Sequence, residues 1–249
     1  MKIVQALLVY NFLSLLLYST SLNATIKRRQ ILVPPKLDAG KQIKIAFLDA
    51  DSTIRISKSG AVTASGPDDV VLIPGVAEKI KELNEAGYFV VIISNQGGVP
   101  RYLSLEQADA GLQKMIELLA EAGAIINYYD FAENNDHFRK PNTGTVEELE
   151  KTLQILYGRS IDREQSFMVG DAAYSKAKNG RPAERMADGT EGQDDVSTDR
   201  LFAENAHIRF YDPSDFLAWK AQGILRIRSL KDAEKLAQAL SSCRKLLLE

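Results

Sequence analysis

FLDADST, residues 47–53, ends an apolar run that begins at Ile43. Such a run fits a fully buried parallel strand whose carboxyl end delivers polar side chains to a site. Asp49 and Asp51 follow the run directly, and their spacing of two lets both point to the same side of the strand end. The stretch therefore predicts a parallel sheet with a reactive edge.

The rest of the chain alternates between strand-like and helical patterns. Further apolar runs typical of buried strands cover residues 88–93, 125–132 and 166–169. Helical patterns follow Pro74, Ser104, Lys140 and Ser229, and Ser104 has Gln107 three residues later, as in a capping box. This alternation predicts an α/β fold, a Rossmann-like parallel sheet with helices on both faces and the site at the strands' carboxyl ends.

Three segments need separate interpretation. Residues 54–71 contain Lys58, Ser59 and Gly60 between short β-prone pieces, which predicts a small β-hairpin flap and no large cap domain. Residues 174–198 are polar and charged, which predicts a long surface loop. The last helix is expected from a Ser229 cap to about residue 248, with Leu230 and Leu247 among the residues that face the core.

The first 24 residues have the layout of a signal peptide. Lys2 precedes an apolar run over residues 3–18, and the segment closes at Ala24. Because this run is shorter than the ~20 apolar residues of a spanning helix, we expect cleavage near Ala24 and a secreted or periplasmic protein. The alternative is a signal-anchor in a membrane-anchored protein, since Lys27, Arg28 and Arg29 follow the run.

The remaining sequence reads as a linker and one domain. Residues 25–42 include two prolines and a glycine, which indicates a linker, and residues 43–249 are interpreted as a single catalytic domain. With 31 basic and 33 acidic side chains among 249 residues, the net charge is -2. No overall positive field would therefore hold nucleic acid non-specifically. The single cysteine, Cys243, excludes an internal disulfide and a cysteine-rich zinc site.

Polar residues with complementary chemistry follow three of the predicted strands. They are Asp49 with Asp51, Ser94 with Asn95, and Asp171, and Lys140 precedes the third helix. Cleavage of a phosphate ester needs a nucleophile, a cation, donors for the phosphate oxygens and a proton for the leaving group. We expect Asp49 to attack phosphorus and Asp51 to act as general acid and then base.

Metal and phosphate binding have candidates in the same set. Asp49 and Asp171, together with Asp51, offer the oxygen ligands that Mg²⁺ prefers, so magnesium is the expected cofactor. Ser94, the Asn95 backbone and Lys140 are expected to bind the phosphate oxygens, and Lys140 is counted among the catalytic residues.

Four motifs in order resemble the haloacid dehalogenase superfamily. They are FLDADST, IISNQGGVPR, RKP and MVGDAA. Within that superfamily the chain looks like the polynucleotide 3′-phosphatase family, the phosphatase half of polynucleotide kinase/phosphatase. The features that carry this resemblance are KSGAVTASGPDDVVLIPGV, SNQGGVPR, HFRKP, VGDAA and TDRLFAENAHIRFYDPSDF, which span roughly residues 43–219.

The resemblance implies a magnesium requirement and a phospho-aspartate intermediate. It also implies that Arg101, in the NQxGxxR pattern, can touch a substrate phosphate, and that Asp199, in DRLFA, supports the metal site. Two departures are visible: Ser52 replaces the usual glycine after the second aspartate, and no GxxxxGK[ST] loop of a kinase occurs. The segment ENNDHFRKP cannot form the zinc loop of related sugar-phosphate phosphatases.

The expected function is removal of a 3′-phosphate from DNA, oligonucleotide or nucleotide ends. The expected partner is thus a phosphorylated nucleotide or single-stranded nucleic-acid end. A phosphatase of small phosphomonoesters such as sugar phosphates is the alternative, and a catalytically inactive binding module is a third reading. No obligate protein partner is indicated by the sequence.

Overall fold

The computed structural model describes most of the chain. The described residues are 27–35, 42–180, 182–185, 189, 191–192, 194, 196–218 and 226–246, the side chains of 242–246 excepted. The expected signal peptide and Leu247 lie outside them. The strands are β1 (Ile45–Leu48), β2 (Arg55–Ser57), β3 (Val70–Leu72), β4 (Phe89–Asn95), β5 (Tyr128–Ala132), β6 (Phe167–Val169) and β7 (Arg209–Tyr211). The helices are α1 (Val76–Glu85), α2 (Leu105–Glu121), α3 (Gly144–Tyr157), α4 (Thr198–Asn205), α5 (Pro213–Phe216) and α6 (Leu230–Leu246).

Five of the strands form one parallel sheet in the order β5-β4-β1-β6-β7. Strand β1 lies at its centre, where Ala46 pairs with Val90 on one side and Phe167 on the other. Because all five strands run in the same direction, the ends of β1, β4 and β6 meet at one edge. The predicted parallel α/β fold is confirmed.

Helices cover both faces of the sheet, because the strands are apolar on both sides. Ala46 and Leu48 face a core shared with α1, α2 and α6, whereas Ile45 and Phe47 face a second core shared with α3 and α4. A strand that is buried on both faces has no polar alternation, which is why β1 reads as a continuous apolar run.

The flap lies between β1 and α1. Strands β2 and β3 pair in antiparallel register, with Ile56 opposite Val71, and a 3₁₀ turn at Pro67–Asp69 leads into β3. The buried Asp69 carboxylate accepts hydrogen bonds from the backbone amides and hydroxyls of Ser59 and Ser65, at 2.7 to 3.0 Å. One carboxylate therefore closes the flap loop, and the predicted hairpin is confirmed.

A short N-terminal segment packs beside strand β5. The backbone amide of Arg29 donates to Tyr129 O at 2.9 Å, and that of Leu32 donates to Asn127 O at 2.8 Å. Arg29 Nε lies 2.8 Å from the buried Asp130 Oδ1. The described part of the predicted linker is thus hydrogen-bonded to the sheet's edge.

Several elements differ from the sequence-based expectations. Strand β7 and helices α4 and α5 were not predicted, because each is only three to eight residues long and β7 is not buried. Leu230 was expected to face the core, but it is exposed in the first turn of α6, whereas Ala233 and Leu236 are buried. Helix α2 does begin at the predicted Ser104–Gln107 capping box. Among the described helices, none is long and apolar enough to cross a bilayer.

Candidate active site

Asp49 lies immediately after β1 and is bound by a buried lysine. Lys140 Nζ donates a hydrogen bond of 2.6 Å to Asp49 Oδ1 and another of 3.0 Å to the carbonyl of Ile93 at the end of β4. Thr53 Oγ1 donates to Asp49 Oδ2 at 3.4 Å. The carboxylate is therefore oriented by two donors, and the lysine places a positive charge directly beside it.

Asp199 also pairs with the lysine. Its Oδ1 lies 2.7 Å from Lys140 Nζ, and its Oδ2 accepts a 2.9 Å hydrogen bond from the backbone amide of Ala172. The approach depends on Gly170, where an added Cβ would fall 2.3 Å from Asp199 Oδ2. Asp199 is therefore held between Lys140 and the backbone that follows β6.

Burial and mutual charge shift the titration of these groups. Burial raises the pKa of Asp49 well above its usual value, and the neighbouring Asp199 and Asp171 raise it further against the opposing effect of Lys140. Burial by itself would lower the pKa of Lys140, but the charges of Asp199 and Asp49 outweigh it and raise that pKa. The lysine is thus kept protonated. Its single positive charge does not balance the negative charges of the carboxylates around it.

Three carboxylates form a candidate metal centre. Asp49, Asp171 and Asp199 each offer an oxygen, and these oxygens all lie within 4.8 Å of one another. The pKa of Asp171 is raised to about 7 by burial and by the charges of Asp199 and Asp194. A set of crowded carboxylate oxygens fits a hard divalent cation, so the residues present suit a metal such as Mg²⁺. Asp51, expected among the ligands, contributes no side-chain oxygen to this cluster.

Residues from outside the sheet also reach Asp171. Arg228 Nη2 lies 3.2 Å from Asp171 Oδ2 and 2.8 Å from Asp194 Oδ1. Arg226 forms two 2.9 Å hydrogen bonds to the Asp194 carboxylate. The charges of both arginines lower the pKa of Asp171 and so oppose part of the burial effect.

Asp51 has different neighbours from Asp49. Arg55 Nε donates to Asp51 Oδ1 at 2.9 Å, and Gln96 Nε2 donates to Asp51 Oδ2 at 2.7 Å. Gln96 Oε1 in turn accepts a 2.9 Å hydrogen bond from Thr63 in the flap. Asp51 therefore faces the flap side of the site, apart from the three crowded carboxylates.

The residues at the end of β4 have distinct roles. Ser94 Oγ is buried and accepts a 2.8 Å hydrogen bond from Gln96 Nε2. The Asn95 side chain binds the backbone of Lys140 from both sides, accepting from its amide at 3.0 Å and donating to its carbonyl at 2.9 Å. Asn95 thus fixes the lysine in place, which the sequence did not predict.

Arg101 is not brought together with these residues. It is exposed in the turn after β4, with its guanidinium 5.0 Å from the ring centre of Tyr102. Ser52, in contrast, has a φ of 60°, the left-handed region in which glycine is favoured. This positive φ explains why glycine is usual at the position, and Ser52 adopts the same backbone conformation.

Sequence reasoning missed two residues of the site, Arg55 and Gln96. Both lie in or next to segments that the sequence motifs identified, but neither was predicted as a site residue because its neighbours have more obvious chemistry. One signal in the sequence could have indicated Arg55. A carboxylate near the core needs a partner of opposite charge, and Arg55 is the cation four residues after Asp51.

The comparison with protein families identifies the chain's relatives. A family model described as "Polynucleotide kinase 3 phosphatase" matches residues 44–217. The chain belongs to this family. The expected relationship to the polynucleotide 3′-phosphatases is confirmed, and this family is one of phosphatases.

Curated relatives of this family member differ in how much of their length they share. An uncharacterized 20.8 kDa protein of Autographa californica nuclear polyhedrosis virus is 37% identical over 72% of this chain and 88% of its own length. The bifunctional polynucleotide phosphatase/kinase of Schizosaccharomyces pombe is 35% identical over 71% of this chain, but the match spans only 38% of that protein. The D-glycero-D-manno-heptose-1,7-bisphosphate 7-phosphatase of Thermosynechococcus vestitus is 34% identical over 43% of this chain and 59% of its own.

A solved structure shows the same fold. The D,D-heptose 1,7-bisphosphate phosphatase from B. bronchiseptica, complexed with magnesium and phosphate, aligns with a TM-score of 0.50 and 20% identity, covering 80% of this chain and 99% of that one.

Proposed function

We propose that the protein is a magnesium-dependent phosphomonoesterase that works through an aspartyl-phosphate and removes 3′-phosphates from DNA, oligonucleotide or nucleotide ends. The observation that carries the proposal is the buried Asp49 carboxylate, bonded to Lys140 at 2.6 Å and crowded by Asp171 and Asp199. A nucleophile, a fixed cation and a candidate metal centre thus meet at one strand end.

The chain's own groups account for both half-reactions. An Asp49 oxygen attacks phosphorus while Asp51 gives its proton to the departing ester oxygen. In the second step Asp51 takes a proton from the attacking water, and inorganic phosphate leaves Asp49. Lys140 and the Ser94 hydroxyl stabilise the charge on the phosphoryl oxygens.

Asp49, Asp171 and Asp199 would hold the magnesium ion. When bound, magnesium neutralises charge on the phosphate and keeps Asp49 ionised for attack. The fit rests on three carboxylate oxygens within 4.8 Å of one another. The magnesium in the B. bronchiseptica phosphatase structure supports this choice of ion.

The family supports the choice of substrate. The family match covers residues 44–217, which include the flap as well as the catalytic strands. The test compares kcat/KM, at saturating magnesium, for a 3′-phosphorylated single-stranded oligonucleotide, its 5′-phosphorylated counterpart and a 3′-nucleotide. We expect the 3′-phosphates to be preferred at least tenfold; equal turnover of the 5′-phosphate would contradict the proposal.

A second candidate is a phosphatase of sugar phosphates. It is favoured by the 34% identity to the heptose bisphosphate phosphatase of Thermosynechococcus vestitus, although that match spans under half of this chain. The same assay with a heptose bisphosphate distinguishes the two. If the sugar phosphate is turned over at least tenfold faster than the 3′-phosphorylated oligonucleotide, this second function replaces the first.

We further propose that the protein is exported and that the mature chain begins near Thr25. The short apolar run before Ala24 supports this. Mass spectrometry of natively expressed protein tests it, and an intact Met1 would contradict it. Retention in the membrane fraction with Met1 present would instead support the signal-anchor.

A further inference from the structure

Arg55 is a completely buried arginine at the start of strand β2. Its exposed fraction is 0%, and its Nε donates the 2.9 Å hydrogen bond to Asp51 Oδ1. Arginine is almost never fully buried unless a partner compensates for the loss of water. Here the compensating charge is Asp51, the residue to which the proposed function gives the proton transfers.

Only one edge of the Arg55 guanidinium makes a short hydrogen bond, and that bond is to Asp51. Nη2 lies 3.5 Å from both Asp51 Oδ2 and Thr63 Oγ1, and Nη1 has no hydrogen-bond partner among the described residues. An added Cβ at Gly111 would fall 3.2 Å from Nη1, so helix α2 closes the far side of the pocket. The main bond of this buried cation is thus to one carboxylate oxygen.

The turn itself does not need the arginine side chain. The backbone amide of Ser52 donates to the carbonyl of Arg55 at 2.8 Å, and the backbone amide of Arg55 donates to the carbonyl of Ala50 at 3.0 Å. These bonds shape the turn with any side chain at position 55. The side chain's own contribution is therefore directed to Asp51.

We propose that Arg55 is a positioning residue that fixes the Asp51 carboxyl against the leaving group. Arg55 holds Oδ1 while Gln96 holds Oδ2, so the carboxyl is gripped from two elements. Without Arg55 the carboxyl keeps only its hydrogen bond from Gln96 and can turn about its side-chain bonds. Displacements of about 1 Å cost on the order of 10²-fold in rate. The inference rests on the proposed acid-base role of Asp51, but not on which ester is the natural substrate.

The test uses substrates that need the leaving-group proton to different degrees. Arg55→Met removes the charge and keeps the length, and Arg55→Lys keeps a cation. We expect Arg55→Met to lower kcat/KM for an alkyl phosphate about 10²-fold and for p-nitrophenyl phosphate less than about threefold, with Arg55→Lys in between. Equal losses on both substrates would overturn the proposal; if the methionine variant fails to fold by circular dichroism, the lysine variant decides by the same ratio.

A double-mutant cycle separates positioning from a general structural effect. Because Arg55 acts only through Asp51, adding Arg55→Met to Asp51→Asn should cause no further loss on the alkyl phosphate. Additive losses would overturn the proposal. Arg163→Met is the matched control, since this arginine pairs with Glu150 on α3 and with the Ala206 carbonyl just after α4. It should leave kcat/KM for the alkyl phosphate and for p-nitrophenyl phosphate unchanged.

Failure of this inference can be told apart from failure of the proposed function. If Asp51→Asn itself leaves the alkyl phosphate unaffected, the acid-base assignment is wrong and the inference falls with it. If Asp51→Asn slows the alkyl phosphate and Arg55→Met does not, only the role of Arg55 is overturned.

Discussion

At the scale of single residues, two aspartates separated by one alanine occupy different surroundings. Asp49 is bonded to Lys140 and crowded by two further carboxylates, whereas Asp51 is bonded to Arg55 and Gln96. Strand geometry made both aspartates visible in the sequence. Their different partners come from segments that only the fold brings together.

The two aspartates should respond differently to replacement by asparagine. In the proposed mechanism Asp49 is the nucleophile, so Asp49→Asn should abolish turnover of every ester. Asp51 is proposed to give acid-base help worth about 10²- to 10⁴-fold, so Asp51→Asn should lower kcat/KM least with p-nitrophenyl phosphate, whose leaving group needs no proton. Steady-state kinetics on an alkyl and an aryl phosphate measure both effects. More than about 1% residual activity in a folded Asp49→Asn variant would refute the assigned nucleophile.

Asp171 should make the free energy of unfolding fall as pH rises when no metal is bound, and magnesium should oppose this fall. Its pKa is raised from 3.8 to about 7 by burial and by Asp199 and Asp194, so the folded state binds the proton more tightly than the unfolded state. Without divalent metal, its contribution to the free energy of unfolding is therefore present below about pH 4 and is lost as pH rises towards 7. Magnesium needs the ionised carboxylate and should stabilise more at pH 8 than at pH 5.

Urea unfolding at pH 5 to 8, in EDTA and in magnesium, measures this dependence. The difference between the parent protein and Asp171→Asn isolates the contribution of this one carboxyl from other titrating groups. We expect the variant to have a shallower downward slope in EDTA, since the raised pKa of Asp49 still contributes, and to lose most of the magnesium effect. An identical slope in both proteins would show that Asp171 is not the titrating group.

At the scale of elements, the sequence predicted the flap but not the Asp69 hydrogen bonds that close its loop, which we call the lock. The Lys58–Gly60 turn between β-prone pieces predicted the hairpin, and the periodicity of the helices and strands predicted most of the sheet. Asp69 was unremarkable in the sequence, because its four donors lie on Ser59 and Ser65 and converge only when the loop closes. Arg55 was hidden for the same reason: its burial depends on helix α2, far along the chain.

Asp69→Ala should loosen the flap without unfolding the sheet. Burial alone would raise the pKa of Asp69, but the hydrogen bonds from Ser65 and Ser59 outweigh it and lower the pKa to about 2. The lock is therefore complete above about pH 4 and is lost as pH falls towards 2. Hydrogen exchange of residues 58–69 at pH 7 should be faster in the variant. Asp68→Ala, at an exposed neighbouring position, is the control and should leave exchange unchanged.

At the scale of the whole molecule, the fold extends beyond the segment shared with the family. The family match covers residues 44–217, yet residues 27–35 pair with the edge at β5 and α6 packs on the core. Arg226 and Arg228, which also lie beyond that match, reach the acidic cluster through Asp194 and Asp171. Contacts of this kind link distant parts of the chain, and no local pattern in the sequence could reveal them.

Two adjacent arginines provide a matched test of the N-terminal segment. Arg29 pairs with Asp130, whose side chain is only 2% exposed, whereas Arg28 pairs with Glu133, which is 21% exposed. Removing the partner of a buried charge costs more than removing an exposed one, so Arg29→Ala should lower the free energy of unfolding by about 2 kcal/mol. Arg28→Ala should cost at most about 1 kcal/mol. Urea denaturation measures both, and equal losses would contradict the assigned burial.

The convergence of β1, β4 and β6 at one edge ties chemistry to completed folding. Asp49, Lys140, Asp171 and Asp199 come from four separate segments, and the central strand pairs with two strands that are synthesised much later. An unfolded chain therefore contains all four of these groups but no assembled centre. We therefore expect no phosphatase activity before the chain folds. The appearance of that activity would report that the parallel strands have joined in one sheet.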